Sequence, residues 1–217
     1  MPKKKHSKIR ILIADDHAVV REGLKRIIEA NSDMVVIQEA SHGQETMNII
    51  RKRNLDVVVL DITLPGISGV EILKMVKSEG IKLPILILSM HSEEQYAIRV
   101  LKAGAAGYLT KESAPEQLVK AIRKVHNSGK YITPSLAERL AFLLEGDRGK
   151  LPHETLSDRE YQVLRLIALG KSLKEIAEHL TLSAKTISTY RARILEKMKM
   201  ENNAQLVHYA LREGLVD

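Results

Sequence analysis

The sequence predicts two domains of different fold class, an α/β domain followed by an all-α domain. The chain has 217 residues, which exceeds the commonest domain size of roughly 100–150 residues. Strand-like and helix-like segments alternate up to about residue 128, whereas no strand pattern recurs after Leu156. Such alternation is typical of a parallel sheet with helices on both faces, so we expect a doubly wound sheet in the N-terminal domain.

Five short apolar runs predict the strands of this sheet. Each run is rich in branched residues and is bounded by polar or turn residues, as expected of strands buried on both faces. The predicted strands are Lys8–Ala14, Met34–Glu39, a run from Val57 that ends on Asp61, Leu83–Leu88, and Ala106–Leu109.

Apolar residues at helical spacing follow each predicted strand and indicate five intervening or flanking helices. The first of these helices ends at Asn31, where three small polar residues break the pattern. The helices are predicted around Val20–Ile28, from about Gly43 to Arg53, around Val70–Val76, over Tyr96–Lys102, and from near Pro115 to Val125. Five strand–helix units predict a five-stranded parallel sheet with right-handed crossovers.

Polar side chains end or follow four of the five predicted strands. Asp15 and Asp16 follow the first strand, Asp61 ends the third, Ser89 follows the fourth and Lys111 follows the fifth. The carboxyl ends of parallel strands share one edge, so we expect these side chains to converge. Three close carboxylates repel one another unless a cation neutralises them, and Mg²⁺ prefers such oxygen ligands. One carboxylate could then attack a phosphoryl group, while the Lys111 ammonium balances charge and the Ser89 hydroxyl donates a hydrogen bond.

Composition and charge exclude several classes of protein. The absence of cysteine excludes disulfides and thiolate metal sites and suits a reducing cytosol. No apolar run approaches the roughly 20 residues of a membrane span, so we expect a cytoplasmic protein without a membrane partner. Of the net charge of +7, +5 falls in residues 1–10, which we interpret as a solvated basic tail. The eight histidines show no repeated i, i+4 pair, so we expect no histidine metal site.

A linker is predicted over residues 129–154, between domains at 8–128 and 155–217. Residues 128–130 break the last helix of the first domain, and Pro134 opens an amphipathic segment. The apolar positions of this segment are Leu136, Leu140, Leu143 and Leu144. Residues 146–152 are rich in turn formers and are the predicted hinge.

Capping signals predict four helices in the second domain. Ser157–Glu160 and Ser172–Glu175 have the spacing of capping boxes, in which serine and glutamate side chains each bond the other's backbone N–H. Ser183 is expected to cap a longer helix that ends near Met198, and the last helix is predicted over Asn203–Arg212. The second and third helices are joined by a tight turn. This arrangement predicts a helix-turn-helix unit, whose second helix enters the major groove of DNA.

The second helix of this helix-turn-helix unit, which begins after Ser183 and ends near Met198, has an apolar side and a polar, basic side. Ile187, Ile194 and Met198 fall on one side at 100° per residue. The opposite side carries Lys185, Ser188, Thr189, Ala192 and Arg193. Residues 185–199 hold five basic residues and one acid, a local charge of +4 in a domain whose overall charge is nearly neutral. We therefore predict DNA contact rather than an ordinary solvated helix face.

Residues 8–128 resemble the receiver domain of two-component response regulators. The matching residues are Asp15-Asp16, Leu60-Asp61, Pro65-Gly66, Gly69, Ser89, Tyr108 and Lys111. The resemblance implies a flavodoxin-like sheet in which Asp61 accepts a phosphoryl group from a phosphohistidine of a sensor histidine kinase. It implies that Asp16, Asp61 and the backbone carbonyl of Thr63 bind Mg²⁺, with Asp15 acting mainly through water. Ser89 and Tyr108 match the switch pair of these domains.

Residues 155–217 resemble the LuxR-type helix-turn-helix domain, so the chain is identified as a member of the NarL/FixJ family of response regulators. The carrying residues are Leu156–Glu160, Val163-Leu164, Ile176-Ala177, Leu182-Ser183, Lys185–Ile187, Ile194 and Lys197-Met198. The predicted DNA contacts are Lys185, Ser188, Thr189, Tyr190, Arg191, Arg193 and Lys197. Ser188 and Tyr190 depart from the lysine and histidine common in the family, which leaves the operator preference open. The resemblance implies a transcription regulator that binds half-sites of double-stranded DNA as a homodimer when phosphorylated, with RNA polymerase as a further candidate partner.

Three alternative functions remain open from the sequence. A haloacid-dehalogenase-type phosphatase also uses an aspartyl phosphate and Mg²⁺, but Thr63 stands where its general acid would be, so we expect no turnover enzyme. A LuxR-type sensor of a small molecule would need an aromatic-lined cavity, and only 3% of the residues are aromatic. A regulator of the same fold could also dispense with phosphorylation as its signal.

Overall fold

The computed structural model describes residues 8–52, 54–90, 93–127, 129–145 and 151–216. The chain divides into two compact units between Ala141 and Phe142. The first unit contains a parallel sheet with helices on both faces, and the second is helical, as the sequence predicts. Within the described ranges, no helix has both the length and the apolar character that a membrane crossing requires.

Five strands form one parallel sheet in the first unit, in the order β2-β1-β3-β4-β5. They are β1 (Ile9–Ala14), β2 (Met34–Ala40), β3 (Val57–Asp61), β4 (Ile85–Ser89) and β5 (Gly107–Thr110). The two central neighbours β3 and β4 are buried along their whole length, which explains their continuous runs of branched residues. The strand order reverses direction between β1 and β3, and such a switch point is where doubly wound sheets place their sites.

Helices cover the two faces of the sheet. The helices of this unit are α1 (Ala18–Glu29), α2 (Gly43–Arg51), α3 (Gly69–Ser78), α4 (Glu93–Ala103) and α5 (Ala114–His126). On one face, α1 and α5 pack together and bury Leu24, Ile28, Leu118 and Ile122 against the sheet. On the other face, α3 packs between α2 and α4 and buries Ile72 and Leu73.

The observed boundaries differ from the sequence expectation in a few places. The fourth strand begins at Ile85 rather than Leu83, because Pro84 has no N–H for the ladder and supplies only its carbonyl, to Val58 N at 3.0 Å. Arg10, the second residue of β1, pairs with Asp56. It therefore belongs to the folded sheet and not to the solvated basic tail in which the sequence placed it. The predicted end of the second helix at Arg53 lies outside the described residues.

The start of the predicted linker contacts the first unit. Tyr131 N donates to the carbonyl of Ala106 at 2.8 Å, and the Tyr131 hydroxyl donates to Gln117 Oε1 at 2.8 Å. Helix α6 (Pro134–Glu145) then begins at the predicted proline and buries Leu136. Of the predicted hinge at residues 146–152, residues 146–150 lie outside the described residues, and Pro152 begins a 3-10 turn, Pro152–Thr155.

Four helices form the second unit within residues 151–216. They are α7 (Asp158–Ala168), α8 (Leu173–Leu180), α9 (Ala184–Met198) and α10 (Asn203–Arg212). The capping boxes predicted at Ser157 and Ser172 are confirmed, and Ser183 accepts a hydrogen bond from Thr186 N as the cap of α9. Thr181 ends α8 in the left-handed conformation with φ of 56°, which turns the chain sharply into α9. Helices α8 and α9 form the predicted helix-turn-helix.

Candidate functional site

The predicted strand-end residues meet at the carboxyl edge of the sheet. Ala14 pairs with Leu60 in the parallel register, so Asp15 and Asp61 emerge side by side from neighbouring strands. Ser89 pairs with Thr110 at the ends of β4 and β5. The next residue after this pair is Lys111, whose N–H donates to the Ser89 carbonyl at 2.7 Å. The register of the strands therefore brings all these groups to the same edge of the sheet.

Lys111 lies between two buried carboxylates. Its Nζ is 2.6 Å from Asp15 Oδ2 and 2.8 Å from Asp61 Oδ2, and the lysine side chain is itself largely buried. Burial alone would lower the pKa of Lys111, but the facing charges of Asp61 and Asp15 raise it above its ordinary value. The ammonium therefore stays charged and balances part of the carboxylate charge.

Asp61 is buried and yet remains able to ionise near neutral pH. Burial raises the pKa of Asp61 from 3.8 to about 6, the charge of Lys111 opposes this rise, and that of Asp15 adds to it. The backbone N–H of Thr63 donates to Asp61 Oδ1 at 3.2 Å, while Oδ2 faces Lys111. Both carboxylate oxygens are thereby held in fixed positions at the end of β3.

The acidic residues fit a hard divalent cation such as Mg²⁺. One ligand atom from each of Asp15, Asp16, His17 and Asp61 lies within 4.8 Å of the others. Asp15 Oδ2 is buried and, despite its ion pair with Lys111, has no hydrogen-bond partner of good geometry among the described residues. A dication would compensate this oxygen and the repulsion between the carboxylates.

The two predicted switch residues are buried within the same part of the sheet. Ser89 ends β4, and Tyr108 lies on β5 opposite Ile87. Neither residue is exposed to solvent, so the Tyr108 ring occupies an inward position in this structure.

The segment between β3 and α3 packs closely against the backbone of Asp61. Gly66 has φ of 76°, a left-handed conformation that glycine adopts without strain. Ser68 then caps α3 in a capping box with Glu71. A Cβ added to Gly69 would lie 2.6 Å from the Asp61 carbonyl oxygen, so only glycine allows α3 to begin this close to the site.

His17 is a member of the cluster that the sequence expectation missed. Its Nδ1 lies 2.8 Å from Asp16 Oδ1 and 3.3 Å from Asp15 Oδ1. The signal in the sequence is the position of His17 directly after the acidic pair, whereas i, i+4 spacing detects only pairs of ligands on one helix. The expectation of no histidine metal site stays a prediction, although His17 lies within the acidic cluster.

Helix α9 presents the faces that its periodicity predicts. Ile187, Ile194 and Met198 are buried. The opposite face is exposed at Lys185, Ser188, Thr189, Ala192 and Arg193, while Tyr190 and Arg191 are half-buried. The exposed face offers hydroxyl and cationic groups of the kinds that contact phosphates and base edges.

Lys197 and Arg191, both predicted DNA contacts, bond to residues outside α9. Lys197 Nζ donates to Glu160 Oε2 at 2.6 Å, and Arg191 Nε donates to Asn203 Oδ1 at 2.6 Å. Burial opposes ionisation of Glu160, but hydrogen bonds from Lys197 and Ser157 outweigh it and leave the Glu160 pKa below its ordinary value. These contacts join α9 to α7 and to the start of α10.

Two family models match the chain, one for each unit. Residues 11–123 match the response regulator receiver domain. Residues 154–210 match the luxR family of bacterial regulatory proteins. The matches agree with the α/β and helical parts of the structure, respectively.

Curated and structurally solved proteins are similar along nearly the whole chain. The response regulator UvrY of Escherichia coli (strain K12) is 37% identical over 208 residues, which cover 95% of each chain. RcsB of Salmonella enterica serovar Typhimurium, solved bound to a promoter with the phosphomimetic BeF3−, is 29% identical with a TM-score of 0.59. That match covers 94% of this chain and 98% of RcsB. A structure of two RcsB dimers on two parallel DNAs is 28% identical, covers 97% of this chain and 100% of that chain, and has a TM-score of 0.58.

Proposed function

Since this chain belongs to the NarL/FixJ family of two-component response regulators, we propose that Asp61 is its phosphoryl acceptor and that phosphorylation switches its binding to DNA. The chain is a response regulator with a receiver domain and a LuxR-type DNA-binding domain, and it acts in transcription regulation. The single observation that carries the proposal is the position of Lys111 between the buried Asp15 and Asp61 carboxylates.

The proposed reaction transfers a phosphoryl group from a phosphohistidine of a sensor histidine kinase. An oxygen of the Asp61 carboxylate forms a bond to phosphorus, the phosphorus–nitrogen bond of the donor breaks, and the leaving imidazole takes up a proton. With a pKa of about 6, Asp61 is mostly ionised near neutral pH and is available as the nucleophile. Lys111 holds a positive charge where the charge of the transferred oxygens develops.

Asp16, Asp61 and the Thr63 carbonyl are the proposed Mg²⁺ ligands, with Asp15 acting mainly through water. The clustering of the acidic side chains supports this assignment, as does the buried Asp15 Oδ2, which is paired with Lys111 but has no hydrogen-bond partner of good geometry among the described residues. When bound, Mg²⁺ would neutralise carboxylate and phosphoryl charge. The Thr63 N–H keeps Asp61 Oδ1 in place beside this cluster.

The proposed switch passes from Asp61 to the Ser89–Tyr108 pair. A phosphoryl group adds charge and acceptor oxygens at the end of β3, beside the neighbouring β4, which ends on Ser89. The Ser89 hydroxyl would move to these oxygens, and this movement would stabilise the inward position that the Tyr108 ring occupies in this structure. Ser89 and Lys111 are already coupled through the bond from Lys111 N to the Ser89 carbonyl.

The proposed output is binding to operator half-sites as a homodimer. Exposed Lys185 and Arg193 would contact phosphates or base edges, together with Ser188, Thr189 and Tyr190. The similar RcsB structures support this output, because both are bound to DNA and one of them contains RcsB dimers. RNA polymerase is a further proposed partner. The proposed domains span residues 8–128 and 155–217, and the linker between them spans residues 129–154.

Acetyl phosphate treatment with intact-mass detection tests the proposal. We expect the full-length protein to gain one phosphoryl group only with Mg²⁺, and the Asp61→Asn variant to gain none. The labelled protein should bind operator DNA more tightly than the unlabelled protein. Absence of Mg²⁺-dependent labelling would overturn the proposal, and repeated turnover of small phosphate esters would favour the phosphatase alternative instead.

A further inference from the structure

The side chain of His17 faces the acidic cluster rather than the helix that it precedes. His17 is the N-cap residue of α1, in an extended conformation with φ of −90° and ψ of 108°, and its side chain makes no capping hydrogen bond. The ring instead lies against the acidic pair, with Nδ1 2.8 Å from Asp16 Oδ1 and 3.3 Å from Asp15 Oδ1. The backbone N–H of His17 also donates to Asp15 Oδ1 at 2.8 Å, which fixes the start of this segment.

The spacing of these atoms is close to that of ligands around one ion. An octahedral ion with bonds of about 2.1 Å places adjacent donor atoms about 3 Å apart and opposite donors about 4.2 Å apart. The two distances from His17 Nδ1 match adjacent positions, and the four candidate ligand atoms all lie within 4.8 Å of one another, a limit slightly wider than the separation of opposite donors. The buried Asp15 carboxylate contributes a candidate ligand atom to the same cluster, and its Oδ2, which is paired with Lys111, has no hydrogen-bond partner of good geometry in the described ranges.

Lys111 and His17 contact different oxygen atoms of the cluster, so they do not compete for the same carboxylate oxygens. Lys111 Nζ contacts the Oδ2 atoms of Asp15 and Asp61, whereas His17 Nδ1 contacts the Oδ1 atoms of Asp15 and Asp16. The His17 side chain is 67% exposed, so an ion can reach the ring nitrogen from solvent.

We propose that His17 Nδ1 is an additional ligand that gives this site a preference for divalent transition metals over Mg²⁺. Mg²⁺ prefers oxygen ligands, whereas Mn²⁺, Co²⁺, Ni²⁺ and Zn²⁺ also accept imidazole nitrogen. A nitrogen donor beside three carboxylates therefore strengthens transition-metal binding without strengthening Mg²⁺ binding. The inference rests on the proposed function, because it extends the same phosphorylation site. It goes beyond that function in assigning His17 a role in metal choice.

Pulsed electron paramagnetic resonance of bound Mn²⁺ tests the proposal directly. The full-length protein would be prepared with ¹⁴N-histidine and with ¹⁵N-histidine, loaded with Mn²⁺ alone, and compared for nuclear modulation from a coordinated nitrogen. We expect a histidine modulation that changes with the isotope and disappears in His17→Gln. His126→Gln is the matched control, because His126 ends α5 near Asp56, at the opposite edge of the sheet.

Metal titrations give a second, independent measurement. We expect His17→Gln to weaken Mn²⁺ binding by about tenfold, the lower range for loss of a group that supports a metal site, and to leave Mg²⁺ binding unchanged. His126→Gln should change neither affinity. If wild-type protein shows no histidine modulation, or if His17→Gln binds Mn²⁺ as tightly as wild type, the proposal is overturned and His17 is only an ion-pair partner of Asp16.

Mg²⁺-dependent labelling by acetyl phosphate, measured on the same preparations, separates this inference from the proposed function. Normal labelling without a nitrogen signal would overturn the inference and leave Asp61 as the phosphoryl acceptor. A nitrogen signal without labelling would keep the metal ligand and overturn the phosphorylation of Asp61. The isotope comparison uses wild-type protein, so it does not depend on whether a variant folds.

Discussion

Lys111 Nζ lies 2.8 Å from Asp61 Oδ2, so a cation from the end of β5 balances a buried carboxylate at the end of β3. The same Nζ is 2.6 Å from Asp15 Oδ2. Without Lys111, two buried carboxylates on neighbouring strands would face each other with no cation from the protein. The pair therefore links the stability of the first unit to the chemistry of its site.

Replacing Lys111 with methionine should destabilise the first unit. Loss of one partner of a buried ion pair costs about 3–5 kcal/mol, and we expect the lower end because Asp61 can take up a proton. The free energy of unfolding of the full chain, measured in denaturant at pH 8 with EDTA, checks this. Lys25→Met is the control, because Lys25 pairs with Glu39 in a partly exposed position and should change stability little. Equal effects of the two substitutions would contradict this role of Lys111.

The raised pKa of Asp61 predicts a falling stability as pH rises. The folded protein binds a proton at Asp61 up to about pH 6, whereas the unfolded chain releases it near 3.8. Between these values the folded state holds more protons, so ionisation at higher pH costs stability, up to about 3 kcal/mol for a shift of about two pKa units. Below the lower value, Asp61 is neutral in both states and contributes nothing.

Comparison with Asp61→Asn isolates this contribution, because asparagine stays neutral throughout. In EDTA, wild-type protein should lose stability relative to Asp61→Asn between pH 4 and pH 7, and the difference should level off above that range. Added Mg²⁺ should reduce the loss, since a dication favours the ionised carboxylate. A difference between the two proteins that is constant with pH would be inconsistent with a raised Asp61 pKa.

The central site was predictable because its residues stand next to strong local signals. Asp61 directly ends a run of branched residues, and parallel strands must bring their carboxyl ends to one edge. The caps at Ser157 and Ser172 were equally accessible, since the bonded residues are three positions apart. Such features depend on short stretches of sequence and on general rules of sheet topology.

The partners of α9 were not predictable, because they depend on how distant helices pack. Lys197 and Glu160 are 37 positions apart, and Arg191 and Asn203 belong to different helices. The charge pattern of α9 alone predicts that both Lys197 and Arg191 contact DNA. His17 illustrates the same limit, because its position was visible but the direction of its ring depends on the backbone before α1.

Lys197 and Arg193 should therefore differ in what their substitution changes. Lys197→Met removes the partner of the buried Glu160 carboxylate and should destabilise the second unit by about 1 kcal/mol, a value reduced for the partial exposure of Lys197. Arg193→Ala should leave stability unchanged, because Arg193 lies on the exposed face of α9. Denaturant unfolding of both variants checks this contrast.

The substitutions Lys197→Met and Arg193→Ala should also differ in their effect on DNA binding. Arg193→Ala should weaken operator binding and reduce the slope of log affinity against log salt by about 1, as expected for one lost phosphate contact. Lys197→Met should leave that slope closer to the wild-type value. A reduced slope in Lys197→Met together with unchanged stability would show that Lys197 is a DNA contact, as its sequence position predicts.

Gly69 is expected to be required for the position of Asp61. In Gly69→Ala, the added Cβ would lie 2.6 Å from the Asp61 carbonyl oxygen and 2.9 Å from Ile62 Cα. Both are backbone atoms and cannot move aside as a flexible side chain can, so β3 and the start of α3 must separate. Overpacking of this kind costs about 1–3 kcal/mol, and the shift of Asp61 from Lys111 should slow labelling by acetyl phosphate.

Gly23→Ala is the matched control for this substitution. Gly23 lies within α1, and a Cβ there would meet nothing within 4 Å. Because alanine loses less conformational freedom than glycine in a helix, Gly23→Ala should stabilise the first unit by about 0.5–1 kcal/mol and leave labelling unchanged. If Gly69→Ala unfolds and labels like wild-type protein, the contact between α3 and the end of β3 does not position Asp61. Opposite signs for the two glycines would instead attribute the effect to the close approach at Asp61, since the chemical change is the same in both variants.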